Sequence, residues 1–319
     1  MQQNEFELDE QMAQETKDFV VSSLKIIRPS QVPNIDVNLS RKARAANTAK
    51  VLSKLNFENL VKLEVLVKNS ADGHEIPVSI FTPKDCVADA PITVFYHGGG
   101  WTFGSRDSHY HAVASCATLT KTIWASVEYR LAPENKFLVQ IGDCENALRW
   151  ILDNKASIGS QNSKVGVSGD SAGGHYAAIL AHQFKKELDY QILVYPCVDL
   201  ITVYDSYAKY SKDCYLINPV LINFFINNLM DEKDVGMPRA SPLFYQDFED
   251  LPKCLIICAE LDPLVDQSVA YEKKLRQNKV ECVLYQVNGT VHGFFHNGVF
   301  LPHAFGQAVR QIADFIEKL

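Results

Sequence analysis

No apolar stretch in the 319 residues approaches the length of a bilayer span, so a membrane-spanning helix is not expected. The opening MQQNEFELDEQMAQETKDF carries acids where a secretion leader would carry Lys or Arg, and the expected compartment is the cytoplasm. A basic footprint is missing too. Lys plus Arg number 31 against 38 Asp plus Glu, a formal net charge of −7, with no Lys/Arg run of the kind nucleic acid requires. The eight cysteines form no CxxC, and Cys254 and Cys258, four residues apart in an extended segment, are too distant for a disulfide; neither a zinc site nor a disulfide framework is indicated. No GxGxxG or Walker element and no HExxH appears, so no nucleotide, metal or other cofactor is expected. His292 and His296 have the spacing of a zinc-protease pair without its Glu, and His109-x-His111 lacks a third ligand, which leaves helix packing or solvent as its reading. Internal repeats, low-complexity tracts and linkers are absent as well.

What is present is an ordinary globular composition, 47% hydrophobic and 22% charged, enough for a large core. Residues 8–28 place Met12, Phe19, Val20, Leu24 and Ile27 on one helical face, ended by Pro29. A second helix is expected next, capped by Asn38 or Ser40, with Thr48, Val51, Leu52 and Leu55 on its apolar face. From residue 60 the period shortens. Segments 60–67 and 76–81 read as a hairpin turning at Ala71-Asp72-Gly73. Beyond it, strand-like runs at 92–96, 123–128, 164–168, 190–195, 254–259 and 280–287 alternate with helical stretches at 108–120, 140–154, 172–186, 264–277 and 304–318. Such alternation builds an α/β fold, a mostly parallel sheet flanked by helices, with ligands at the carboxyl ends of the strands. Residues 199–250 break the rhythm with one amphipathic helix near 219–230 and many aromatics. The expected division is a helical cap segment at 1–57 and a catalytic unit at 58–319, carrying a cap insertion at about 199–250.

The chemistry concentrates at strand ends. Gly169-Asp170-Ser171-Ala172-Gly173-Gly174 sits between a strand and a helix, the sharp turn that exposes a serine in a strained conformation. A serine hydroxyl needs an imidazole to take its proton and a carboxylate to fix that imidazole's tautomer. Asp262, just after one strand, and His292, just after the last, supply both on the same rim. Taken singly, Asp262 reads as a helix N-cap and His292 as a loop histidine; as an ordered set with Ser171 they become catalytic candidates. His97-Gly98-Gly99-Gly100-Trp101 follows another apolar strand, and its glycines free backbone N–H groups to meet an oxyanion.

These motifs, together with Tyr129-Arg130-Leu131-Ala132-Pro133-Glu134, Asp262-Pro263-Leu264 and His292-Gly293-Phe294, resemble the hormone-sensitive lipase family of carboxylesterases, α/β-hydrolases, from about residue 60 to the C-terminus. The resemblance implies Ser171 as nucleophile, His292 as base, Asp262 as its orienter, and Gly99, Gly100 and Ala172 as oxyanion donors. It also implies that His97 braces the glycine loop, that Glu134, Asp143 and Asp170 are structural, and that the N-terminal helices form a cap. The chain departs from the family at Leu138, His175 and Gln267, where Pro, Asn and Glu are usual. Trp101, Phe294 and Phe295 are candidate pocket residues. The expected reaction is hydrolysis of small to medium acyl esters through an acyl-enzyme. An amidase such as an arylformamidase would use the same triad, and the receptor-like homologues of the family, the plant gibberellin receptors, lack the histidine that is intact here. The expected partner is a small-molecule ester; a homo-oligomer is left open.

Overall fold

The computed structural model describes residues 6–34 and 36–319; the first five residues of the acidic N-terminal stretch lie outside it. Helix α1 (Gln14–Leu24) and a 3-10 turn (Pro29–Asn34) lead to α2 (Val37–Leu52). The hairpin β1 (Leu60–Lys68) and β2 (Glu75–Pro83) follows. Then come β3 (Ile92–Tyr96), α3 (Tyr110–Thr120), β4 (Ile123–Val127), α4 (Phe137–Ile158), β5 (Val165–Asp170), α5 (Ala172–Gln183) and β6 (Tyr190–Val194). The 199–250 segment carries only α6 (Asp205–Lys209), α7 (Pro219–Leu229) and short 3-10 turns, and the chain closes with β7 (Lys253–Leu261), α8 (Val265–Gln277), β8 (Cys282–Val291) and α9 (Pro302–Ile316). Among the described residues no helix is long and apolar enough to cross a membrane.

The eight strands form one sheet in the order β1-β2-β4-β3-β5-β6-β7-β8. The β1–β2 and β2–β4 pairs are antiparallel and every later pair is parallel. Alternation along the central strands separates two apolar layers. Val94 and Tyr96 join α4, α5 and α8 on one face, through Ile141, Leu148, Ala177, Leu180 and Tyr271. Phe95 points the other way, with Leu255 and Ile257, onto α3 and α9 through Val113, Cys116, Phe305 and Ile312. Strands buried on both faces read as continuous apolar runs, which is why they are visible in the sequence. All eight cysteines are free thiols.

The N-terminal helices differ from expectation in detail. Helix α1 starts at Gln14 rather than near residue 8, because the Ala13 N–H donates to the Gly289 carbonyl at 2.9 Å instead of entering a helical turn. Helix α2 is capped by Asp36, whose Oδ1 accepts the Leu39 N–H at 2.7 Å; Asn38 and Ser40 fall inside the first turn. None of its residues is buried, so its apolar face covers less than the spacing predicts.

Both N-terminal elements meet the 199–250 segment. Met12, Val20 and Leu24 pack with Tyr210, Cys214 and Tyr215 over Leu261 and Val291, at the carboxyl ends of β7 and β8. Val32, Ile27 and Val37 pack with Leu221, Phe224 and Phe225 of α7 and with Phe103. From α2, the Arg41 guanidinium donates to both carboxylate oxygens of Glu134, at 2.9 and 3.0 Å, and to the carbonyls of Thr102 and Ala132.

Candidate active site

Parallel pairing brings the carboxyl ends of β3, β5, β6, β7 and β8 to one end of the sheet. Tyr96 pairs with Gly169, and Asp170 with Val194, so His97 and Ser171 leave neighbouring strands at the same level. Between β7 and β8 the register shifts: Ala259 faces Val287, yet Leu261 faces Val291, the extra length of β8 being taken up around Gly289. Leu261 and Val291 therefore end their strands together, and the next residues are Asp262 and His292.

Ser171 stands between β5 and α5 with φ 53° and ψ −116°, a left-handed conformation costing a non-glycine residue about 1–3 kcal/mol. The cost is met by packing. A Cβ at Gly173 would run into the Tyr96 carbonyl, so glycine there lets α5 seat against β3 and hold the turn. The Ser171 N–H donates to the Val194 carbonyl at 2.9 Å, and its own carbonyl accepts the His175 N–H at 3.0 Å.

His292 Nδ1 lies 2.7 Å from Asp262 Oδ2, and His292 Nε2 lies 2.8 Å from Ser171 Oγ. A carboxylate accepts, so Nδ1 carries the proton and donates; Nε2 is then the acceptor for the serine hydroxyl. Asp262 is fully buried, and its Oδ1 also accepts the Leu264 N–H at 2.8 Å, which fixes the carboxylate's orientation. The N-cap of α8 is Leu264, with no side-chain cap, so Asp262 is not the helix cap that it reads as when taken singly; its two oxygens serve the turn into α8 and His292.

The glycine loop lies opposite. Gly99 and Gly100 have φ 123° and 60°, and among the described residues no acceptor takes the N–H of either. Ala172, the first residue of α5, has no helical partner for its N–H either. The loop is braced as the resemblance implies: His97, fully buried, stacks on Tyr129 at 4.2 Å, Tyr129 donates its hydroxyl to the His97 carbonyl, and His97 Nδ1 is 2.9 Å from the Gly98 carbonyl. Burial pushes the His97 imidazole down to about 3, so it is neutral. Asp143 holds Arg130 through a bidentate pair and accepts from Asn69.

Asp170 binds the two motifs together. Its Oδ1 accepts the Gly98 N–H at 2.8 Å and lies 3.1 Å from His109 Nε2; His296 Nδ1 lies 3.7 Å from Oδ2, and the Tyr195 hydroxyl donates to Oδ2 at 3.3 Å. Burial alone would raise this carboxyl, but the facing imidazoles of His109 and His296 outweigh it and hold it well below the usual carboxylate range. His109 is therefore a buried partner of Asp170, while His111 packs on Phe305. Atoms of His109, Asp170 and His296 lie within 4.8 Å of one another, the kind of set that ligates a cation; those of His109 and Asp170 serve the hydrogen bonds just given, with the Ser108 hydroxyl against His109 Nδ1, while the buried His296 Nδ1 has no hydrogen-bond partner among the described residues.

Two of the three pocket candidates are corrected. Phe294 and Phe295 are 0% and 1% exposed and lie in the α3/α9 layer, against Tyr195, Phe95 and Phe305, so they are core packing. Trp101 stays beside the glycine loop, 3% exposed, with φ 58°. Sequence reasoning missed Tyr195, whose ring lies 4.5 Å from the His292 ring and whose hydroxyl accepts the Phe295 N–H at 3.2 Å. Its position at the end of β6, on the same rim, was the available signal. Phe225 of α7 was also missed as an individual: its ring occupies the space a side chain at Gly100 would need.

Residues 93–296 match the family model described as alpha/beta hydrolase fold. An arylesterase of Saccharolobus solfataricus is 33% identical over 232 residues, 72% of this chain and 76% of that protein. The ethyl acetate hydrolase of Pseudomonas putida is 32% identical over 73% of this chain and 76% of its own length. A solved structure of the hyperthermophilic esterase from Pyrobaculum calidifontis superposes with a TM-score of 0.86 at 30% identity, covering 96% of this chain and 98% of that one. With the fold and the strand-end cluster already described, these likenesses make the chain a member of the α/β-hydrolase family, a serine carboxylesterase of the hormone-sensitive-lipase-like kind.

Proposed function

We propose that Ser171 is the nucleophile, His292 the general base and acid, and Asp262 the group that orients it, with Gly99, Gly100 and Ala172 donating to the oxyanion. The observation that carries this reading is the continuous hydrogen-bonded path Asp262–His292–Ser171, with links of 2.7 and 2.8 Å, ending on a strained serine. Ser171 Oγ attacks the ester carbonyl while its proton passes to His292 Nε2. The carbonyl oxygen, now anionic, takes the free N–H groups of the glycine loop and of α5; each such donor is typically worth about 10²- to 10³-fold in rate. Collapse expels the alcohol, which receives the proton from His292, and leaves an acyl-Ser171. Water then gives its proton to His292, attacks the acyl carbon, and releases the acid with Ser171 reprotonated.

Small to medium acyl esters are the proposed substrates, acting under a cap made by the N-terminal helices and the 199–250 segment. Support comes from the packing of α7 against Phe103 and Gly100 and from relatives named for aryl esters and ethyl acetate. A cytoplasmic setting is supported by eight free thiols in one chain. The test is a p-nitrophenyl ester series from acetate to palmitate with wild type and Ser171→Ala side by side. The reading expects short-chain hydrolysis that disappears in the variant. Turnover only of amides, or turnover that survives the substitution, would overturn it.

A further inference from the structure

Trp101 directly follows the two proposed oxyanion glycines and holds φ at 58°, a conformation a bulky non-glycine residue does not keep unaided. Its carbonyl is held from two sides, by the Ala132 N–H at 2.8 Å and the Gln140 amide at 3.2 Å. Gln140 is itself fixed by the Tyr176 hydroxyl at 2.7 Å. The side chain is held by one polar contact only: the indole N–H donates to His175 Nδ1 at 3.1 Å.

His175 stands where the family usually has Asn, one helical turn beyond Ser171, and is fully buried. Its other nitrogen, Nε2, donates to the Ala240 carbonyl at 2.8 Å, in the 199–250 segment. One acceptor and one donor on opposite sides of the ring specify a single neutral tautomer. Two aromatic rings flank His175, those of Phe137 and Tyr176 at 5.9 and 5.3 Å. A single imidazole thus touches the helix that carries the nucleophile, the loop that carries the oxyanion donors, and the proposed cap.

We infer that His175 is a positioning residue for the reaction: by holding the Trp101 indole to the Ala240 carbonyl it keeps the Gly99–Gly100 N–H groups aimed at the site and couples their geometry to the 199–250 segment. The inference rests on the assignment of Ser171 and the glycine loop made above. It separates a residue that shapes the transition-state site from one that only fills the core, because the first weakens transition-state binding while leaving ground-state binding in place.

The experiment compares wild type with His175→Phe, His175→Gln, Trp101→Phe and the Trp101→Phe/His175→Phe double variant, with Ser171→Ala as control. The readouts are kcat and KM on p-nitrophenyl butyrate, the inhibition constant of a trifluoromethyl ketone, which mimics the tetrahedral oxyanion, and the melting temperature. His175→Phe should lower kcat by about 10- to 100-fold with little change in KM, and weaken the ketone by a similar factor. His175→Gln, which keeps one acceptor and one donor, should recover most of that loss. The double variant should be no worse than the poorer single one, because both remove the same bond. Should His175→Phe fail to fold, Trp101→Phe removes that bond from the other end and must show the same split between kcat and KM. Variants that melt earlier yet keep kcat and ketone affinity within about twofold of wild type, or losses that multiply in the double variant, overturn the inference alone. A Ser171→Ala enzyme that still turns over would overturn the serine assignment and the inference with it.

Discussion

The ring of Phe225 lies against the α-carbon of Gly100, so the helix α7 of the 199–250 segment and one of the proposed oxyanion donors share a surface. Phe225 also meets Phe103 edge-on at 5.9 Å, and Arg44 from α2 sits over the Phe103 ring at 4.6 Å. The glycine loop is therefore covered by side chains from both segments expected to form the cap.

Phe225→Ala should enlarge the space above the glycine loop. The ratio of kcat/KM for p-nitrophenyl octanoate to that for the acetate should rise by about tenfold, the scale of one or two methylene contacts in an apolar pocket. Gly100→Ala should do the opposite, because its side chain would meet the Phe225 ring and its φ of 60° disfavours any Cβ; activity should fall on every ester. An unchanged chain-length profile in Phe225→Ala would remove α7 from substrate selection.

Asp262 and Asp266 stand four residues apart after β7, and their surroundings separate them. Asp262 accepts from His292, whereas Asp266 Oδ2 accepts the Ser206 N–H at 2.9 Å in α6. Asp262→Asn should lower kcat by about 10³- to 10⁴-fold by presenting the wrong tautomer of His292 to Ser171. Asp266→Asn should leave kcat near wild type and act through stability. Steady-state kinetics on one soluble ester decide it, and a reversed pattern would reassign the triad's acid.

Acid should weaken the fold through its buried imidazoles. Burial pushes His97 to about 3 and His175 to about 4, against an ordinary value of 6.5. Between those values the unfolded chain binds protons that the native chain refuses, so stability is lost as pH falls from 6.5 toward 4, by up to about 1.4 kcal/mol per pH unit for each group. Urea midpoints measured from roughly pH 7 to pH 4 should fall, and less steeply in His175→Gln, which removes one such group. Equal slopes in the two proteins would contradict a neutral buried His175.

The sheet, the hairpin and the strand-end positions of Ser171, Asp262 and His292 were legible because they rest on local signals: buried strands as apolar runs, turn residues between them, and glycines around a strained serine. What stayed hidden depends on contacts far apart in sequence. Asp36 caps α2 because the helix begins two residues earlier than an Asn38 cap would place it. Phe294 and Phe295 adjoin His292 in sequence but point into the core, since the chain turns at Gly293 with φ 81°. The pairing of His109 and His296 with Asp170, and of His175 with Trp101, arises only once the sheet brings the carboxyl ends of β3, β5 and β8 to one rim.

The central claim is that Ser171 is a nucleophile activated by His292. A fluorophosphonate forms a stable bond to such a serine, and peptide mass spectrometry locates it. The account predicts one adduct, on Ser171, lost in Ser171→Ala and formed far more slowly in His292→Ala. An adduct on another residue, or labelling at the wild-type rate without His292, would contradict it.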